Sequence, residues 1–149
     1  MILGSNKVMQ VAVVVKDIET TKKKYAQFFE VDVPATITSG DYEITKTEYK
    51  GQPAPKAACK MAFFNAGGLT LELIEPNGEP STWQDFLDEK GEGLHHIAFE
   101  VEDTDKAIEK AKTMGMTLQQ RGKYGNGGGE YSYLESPDLK IIIETLQSY

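Results

Sequence analysis

Long apolar runs separated by short polar stretches divide the first half of the chain into strands and one helix. Val8–Val15 is apolar except for Gln10, a pattern typical of a strand buried on both faces. Tyr25, Phe28 and Phe29 follow at a spacing that places them on one face of a helix. The pattern then predicts four more strands, at residues 32–38, 42–48, 58–64 and 69–74. The last two flank a glycine-rich hairpin turn.

The second half of the chain repeats this order of elements. The segment Ile97–Asp103 aligns with Val11–Asp17, and each segment is followed by an amphipathic helix. In the second copy the helix ends at Gly115, and the pattern predicts strands at residues 116–120, 131–134 and 141–146. Because an internal repeat constrains the fold more than any single motif, we predict one α+β domain over residues 1–149.

A short polar linker separates the two copies. Pro76–Pro80 is rich in turn residues, and Ser81 and Gln84 are placed as the capping box of a helix over 82–89. The predicted fold therefore contains two paired βαβββ modules that form a curved mixed sheet around a cleft. The modules lie at about residues 7–75 and 93–147, with a helical linker at 76–92.

Composition and charge narrow the classes of function. Sixteen basic and 23 acidic residues give a net charge of −7, which argues against binding to nucleic acids or anionic membranes. Cys59 is the single cysteine, which excludes an intrachain disulfide and a cysteine-ligated zinc cluster. No apolar run approaches the ~20 residues of a membrane span, and no secretory signal is visible. We expect a cytoplasmic protein.

Four polar residues occupy matching positions in the apolar strands of the two copies. Gln10 matches His96 on the first strand, and Glu72 matches Glu144 on the last. A polar side chain in such a strand is costly unless it has a partner. Paired modules would bring all four to one cleft, where three oxygen donors and one imidazole nitrogen suit Zn²⁺, Ni²⁺, Co²⁺ or Mn²⁺.

Three segments resemble the vicinal oxygen chelate superfamily, the paired βαβββ fold that includes glyoxalase I and methylmalonyl-CoA epimerase. They are Gly93–Phe99 (GLHHIAF), Leu71–Pro76 (LELIEP) and Pro137–Glu144 (PDLKIIIE). The resemblance implies that one divalent metal ion is held in the cleft by Gln10, Glu72, His96 and Glu144. It also implies a homodimer and a small-molecule substrate, carried on glutathione or coenzyme A.

The function that this resemblance implies is a metal-dependent lyase or isomerase of the glyoxalase I (lactoylglutathione lyase) type. Its chemistry is proton transfer through a metal-stabilised enediolate of a small carbonyl thioester or hemithioacetal. Glu144 is the expected catalytic base, with Glu72 on the other side of the site. The alternatives are a methylmalonyl-CoA epimerase and a non-catalytic protein that binds or sequesters a small molecule.

Three further residues bear on substrate and specificity. Lys60 and Arg121 are candidates for binding an anionic group of the substrate. Lys60 also stands where the epimerase has an additional glutamate, which ranks epimerisation below isomerisation. His95 is expected on the opposite strand face from His96, because side chains alternate along a strand.

Overall fold

The computed structural model describes all 149 residues and contains ten strands and four helices. In the first half they are β1 (Val8–Val14), α1 (Ile18–Phe29), β2 (Ile37–Thr38), α2 (Tyr42–Thr45), β3 (Glu48–Tyr49), β4 (Gln52–Pro53), β5 (Cys59–Asn65) and β6 (Thr70–Pro76). The second half follows with α3 (Thr82–Lys90), β7 (Gly93–Glu100), α4 (Thr104–Lys112), β8 (Thr117–Tyr124), β9 (Gly129–Glu135) and β10 (Ile142–Ser148).

All ten strands form one mixed sheet in the order β2-β5-β6-β1-β7-β10-β9-β8-β3-β4. The sheet curls into a half-barrel, which confirms the predicted α+β fold with a curved mixed sheet. The two halves of the chain meet where β1 pairs antiparallel with β7, while β1 pairs parallel with β6 and β7 pairs parallel with β10. The four predicted metal ligands therefore lie on four adjacent strands of the sheet, β6-β1-β7-β10.

The helices cover the sheet and divide its core. Each long helix begins at an aspartate or serine whose side chain accepts a backbone hydrogen bond three residues on: Asp17 for α1, Ser81 for α3 and Asp103 for α4. One apolar cluster lies under α1 and another under α4. The third cluster includes Trp83 of α3 and lies on the inner face of the curled sheet. No helix is long and apolar enough to cross a membrane.

The segment between α1 and β5 differs from its prediction as two strands. Only residues 37–38 and 48–49 are extended, and Tyr42–Thr45 forms a short helix that ends at Lys46 in the left-handed conformation (φ 46°). We call residues 39–47 the strap, because they connect β2 at one side of the sheet to β3 at the other. β3 pairs with β8 of the second half, so a long-range pairing decides the path of this segment.

Candidate functional site

A cavity of about 580 Å³ lies between the inner face of the sheet and the strap. Gln10, Glu72 and Glu144 line it from strands β1, β6 and β10. Thr45 and Thr47 line it from the strap, and their buried hydroxyl groups hydrogen-bond to each other at 3.0 Å. The remaining lining is largely apolar and aromatic, which is typical of a pocket for a small molecule with a few polar groups at its base.

His96 and Glu144 meet at the base of this cavity. The Nε2 atom of His96 lies 2.9 Å from Oε2 of Glu144, and the two side chains are 0% and 5% exposed. Neither atom has a hydrogen-bond partner, because the imidazole and the carboxyl are not aligned for a hydrogen bond to each other. Two unpaired buried polar atoms this close are costly unless a proton or a metal ion lies between them.

The preceding residue, His95, lies on the same side of the strand as His96, contrary to the prediction from alternation. The pairing of β1 with β7 runs from Ala12–His96 to Val13–Leu94, so His95 is the extra residue of a β-bulge. The Nδ1 atoms of the two histidines are 2.8 Å apart, and Nε2 of His95 lies 3.3 Å from the backbone oxygen of Thr82. Because of the bulge, the side chain of His95 contacts that of His96.

A second chain of contacts leads from α3 to Glu144. The indole Nε1 of Trp83 donates a hydrogen bond of 2.9 Å to the hydroxyl oxygen of Tyr133. The Tyr133 hydroxyl in turn interacts with the Glu144 carboxyl, which partly offsets the rise that burial causes in the pKa of Glu144. Thr82 and Trp83, consecutive residues in the first turn of α3, thus contact the partners of His96 and Glu144.

Burial controls the charges of the polar residues at the cavity. It raises the pKa of Glu72 well above its usual value, with a further rise from the nearby charge of Glu144 and a small opposing effect of the Gln10 side chain. Burial lowers the pKa of His96 to about 3, so this imidazole is neutral at physiological pH. A neutral imidazole is the form that binds metal ions.

The chemistry of the four predicted donor side chains suits a divalent metal ion, whereas their positions suit one only in part. An imidazole nitrogen and a carboxylate oxygen, both buried and unpaired, are suitable first donors for a cation of the zinc type. No three of the His, Cys, Asp and Glu side chains converge on one point. Binding of an ion by all four predicted ligands would therefore require a rearrangement of these side chains.

Comparison with known proteins agrees with this architecture. Residues 9–133 match the profile of the glyoxalase/bleomycin resistance protein/dioxygenase superfamily. The chain belongs to this superfamily. The profile match thus shows membership of the superfamily whose resemblance implied the four ligand positions.

Several relatives within the superfamily are epimerases. An ethylmalonyl-CoA/methylmalonyl-CoA epimerase of Cereibacter sphaeroides is 27% identical over 140 residues, which cover 92% of this chain and 93% of that protein. A Bacillus subtilis protein, YqjC, is 59% identical over 39 residues, which cover 26% of this chain and 28% of that protein. A methylmalonyl-CoA epimerase of Streptomyces coelicolor, solved with 2-nitronate-propionyl-CoA, superimposes with a TM-score of 0.67 at 22% identity, covering 95% of this chain and 96% of that chain.

Lys60 and Arg121, expected at the substrate, lie outside the cavity of this superfamily member. Lys60 faces outward with the residues that pack under α1, is 54% exposed, and pairs with Glu75 at 3.3 Å. The Arg121 guanidinium is held by Asp105 at 3.0 Å and Glu130 at 2.9 Å. Lys60 therefore does not replace a catalytic glutamate at the cavity, and the ranking of isomerisation above epimerisation loses its basis.

Other residues of the site were missed from the sequence. On β5 the cavity is lined by Cys59, Met61 and Phe63, the strand phase opposite to Lys60. Tyr133 and Trp83 reach the site through tertiary contacts. The alternating pattern of β9 could have indicated an inward Tyr133, whereas nothing local indicates that α3 packs against it.

Proposed function

We propose that this protein is a metal-dependent epimerase that moves the proton on the carbon next to the thioester carbonyl of a short branched acyl-CoA, of which methylmalonyl-CoA is the first candidate. The observation that carries the proposal is the pair of buried carboxyl groups, Glu72 and Glu144, that enter one cavity from strands on either side of the β1–β7 pair. The epimerase relatives support the substrate class.

The two carboxyl groups can divide the work of an epimerase. Inversion requires one group to take the proton from one face of the substrate and another to return a proton to the opposite face. In the metal-free protein burial raises the pKa of both carboxyl groups, and the charge of Glu144 raises the pKa of Glu72 further, so one protonated and one ionised group are favoured over two ionised groups. Glu144 is the proposed base and Glu72 the proposed acid.

One divalent metal ion, held by His96, Glu144, Glu72 and Gln10, would supply the positive charge that makes the substrate carbon more acidic. The largely apolar lining would exclude water and orient the acyl group. The homodimer implied by the resemblance and the cytoplasmic location expected from the composition belong to the same proposal.

A second candidate, isomerisation of a glutathione hemithioacetal of the glyoxalase I type, is favoured by one observation. Lys123 is the only cationic residue that lines the cavity, and it is exposed at the rim. Apart from the proposed metal ion, a methylmalonyl carboxylate would thus meet no cationic side chain at the base of the cavity, whereas the hemithioacetal of a small aldehyde needs none there. The donor set of Gln10, Glu72, His96 and Glu144 suits this candidate equally well.

Parallel assays separate the two candidates. Protein loaded with Zn²⁺, Co²⁺, Ni²⁺ or Mn²⁺ is given a single epimer of methylmalonyl-CoA, or methylglyoxal with glutathione. Appearance of the opposite epimer, lost in Glu144→Gln, supports the proposal, whereas formation of lactoylglutathione alone identifies the second candidate. Turnover of neither substrate by the metal-loaded protein would contradict both.

A further inference from the structure

We infer that His95 is a positioning residue that fixes the protonation pattern of His96, so that Nε2 of His96 presents a free lone pair to the metal site. The inference rests on the proposed metal dependence of this site. It adds a function for a side chain that touches neither the substrate cavity nor, by the ligand assignment, the metal ion.

The direction of the hydrogen bonds from His96 to His95 and from His95 to Thr82 follows from the last acceptor, the backbone oxygen of Thr82. The backbone oxygen of Thr82 can only accept, so the His95 Nε2 atom that faces it at 3.3 Å carries a hydrogen. His95 is 1% exposed and is enclosed by Phe86, Tyr133 and His96, with no carboxylate in contact, so its ring is neutral. The Nδ1 atom of a neutral ring protonated at Nε2 is an acceptor.

The same reasoning applies to the ring of His96. The Nδ1 atom of His96 lies 2.8 Å from the accepting Nδ1 atom of His95, so it must carry the hydrogen and donate. His96 is fully buried, and a neutral ring that carries its hydrogen on Nδ1 keeps a lone pair on Nε2. The lack of an aligned hydrogen bond between this atom and Glu144, despite their 2.9 Å separation, agrees with that arrangement.

The opposite tautomer of His96, protonated on Nε2, would block the metal site. If His96 carried its hydrogen on Nε2, rotation of the carboxyl would allow it to donate to Glu144, and the two first ligands would satisfy each other. His95 prevents this by occupying Nδ1–H of His96, and the β-bulge is what brings it into reach. Outer partners of metal-bound histidines generally set the tautomer in this way.

The backbone of α3 completes the arrangement. The N–H of Thr82 donates to Oε1 of Gln120 at 2.9 Å, and the Gln120 amide donates to the Tyr131 hydroxyl at 2.9 Å. Thr82 is thereby held from β8 and β9 while its oxygen faces His95. The helix that links the two halves thus sets the orientation of the His96 ring.

Nitrogen NMR of the unmodified, metal-free protein tests the inference directly. The chain has two histidines, so a long-range ¹H–¹⁵N correlation spectrum contains only two imidazole rings. At neutral pH we expect His96 to carry its hydrogen on Nδ1 and His95 to carry it on Nε2. A His96 ring protonated on Nε2 would overturn the inference whether or not the protein binds metal.

Three variants extend the test to metal affinity, measured with Zn²⁺ by competition with a chelator. His95→Phe keeps a ring but removes both hydrogen bonds, and we expect affinity to fall ~10–100-fold. His95→Gln can accept with its oxygen and donate with its nitrogen, and should restore most of the loss. Thr104→Val, the control, removes a buried hydroxyl hydrogen bond to Gln147 at α4 and should leave affinity unchanged.

The outcomes distinguish this inference from the proposed function. If the unmodified protein binds no Zn²⁺, the metal proposal fails, and the NMR spectrum still decides the protonation pattern. If the protein binds Zn²⁺ but His95→Phe loses no more affinity than Thr104→Val, or if His95→Gln loses as much as His95→Phe, the positioning role is wrong.

Discussion

The two halves of the sheet place polar residues at equivalent strand positions but hold them very differently. His96 and Glu144 of the second half are almost fully buried, lie 2.9 Å apart, and are each contacted by a partner that α3 fixes. Glu72 of the first half is also buried, but the side chain it interacts with, Gln10, is only partly buried. A site built by duplication can thus have one rigid and one adjustable half.

The connecting segments explain this difference. In the second half, β8 and β9 form a full antiparallel pair, which supplies Gln120, Tyr131 and Tyr133 behind the ligands. In the first half, the corresponding chain leaves the β5 edge after two residues and forms the strap across the cavity. The first half thus lacks a full strand beyond β5, and β5 places Phe63 opposite Glu72 where β9 places Tyr133 opposite Glu144, while the strap provides a wall for the cavity.

The largest effect should come from removing a ligand of the rigid half. His96→Ala deletes the positioned imidazole and leaves Glu144 buried without its neighbour, so Zn²⁺ affinity should fall by more than ~100-fold, beyond the range for loss of an outer partner. Gln10→Ala, the matched change on β1, should cost ~10-fold or less. Chelator competition measures both, and equal losses would remove the distinction between the halves.

The pH dependence of stability should separate the two kinds of ligand. Because the pKa of His96 is lowered from 6.5 to about 3, the unfolded chain binds the proton more tightly, and metal-free protein should lose stability as pH falls below about 6.5. The raised pKa values of Glu72 and Glu144 act oppositely, so stability from these groups falls as pH rises above about 4.5.

Urea titrations of the metal-free protein across this range provide the measurement. His96→Gln should flatten the loss on the acid side, and Glu144→Gln should flatten the loss above pH 4.5, where each unit of pKa shift corresponds to about 1.4 kcal/mol. If the loss of stability below pH 6.5 were the same in His96→Gln as in the unmodified protein, this histidine would not be buried as a neutral ring.

A smaller effect is expected at the α3 contact to Glu144. Trp83→Phe keeps an aromatic ring but removes the N–H that holds Tyr133, so stability should fall by about 0.5–1.5 kcal/mol. Zn²⁺ affinity should fall ~10-fold, at the lower limit for an outer partner. Thr104→Val, which removes the hydroxyl bonded to Gln147 at α4, should lose similar stability but no affinity. Equal affinity in both variants would exclude this contact from ligand positioning.

The sequence predicted the features that depend on local pattern and repetition. The four polar positions on β1, β6, β7 and β10 followed from the match between the two copies, and the capping of α3 followed from Ser81 and Gln84. These properties are decided within a few residues, or by equivalence of strands, and the structure brings Gln10, Glu72 and Glu144 to one cavity.

Features that depend on pairing between distant strands could not be predicted from the sequence. His95 was assigned to the wrong side because a β-bulge interrupts the alternation. Lys60 was a substrate candidate because its strand phase was known but the face covered by α1 was not. The strap was predicted as a turn followed by most of a strand at 42–48, because its path depends on the pairing of β3 with β8, which no local pattern encodes.

Exchange of the substrate proton with solvent tests the central claim, metal-dependent proton transfer next to a thioester carbonyl, most directly. Methylmalonyl-CoA is incubated in deuterated water with metal-loaded protein, metal-free protein or His96→Ala, and loss of the proton signal at the α-carbon is followed by NMR. The account predicts exchange only with the metal-loaded parent, and none above background in the other two samples. Exchange that is equally fast in His96→Ala, or absent from protein shown to contain the metal, would contradict it.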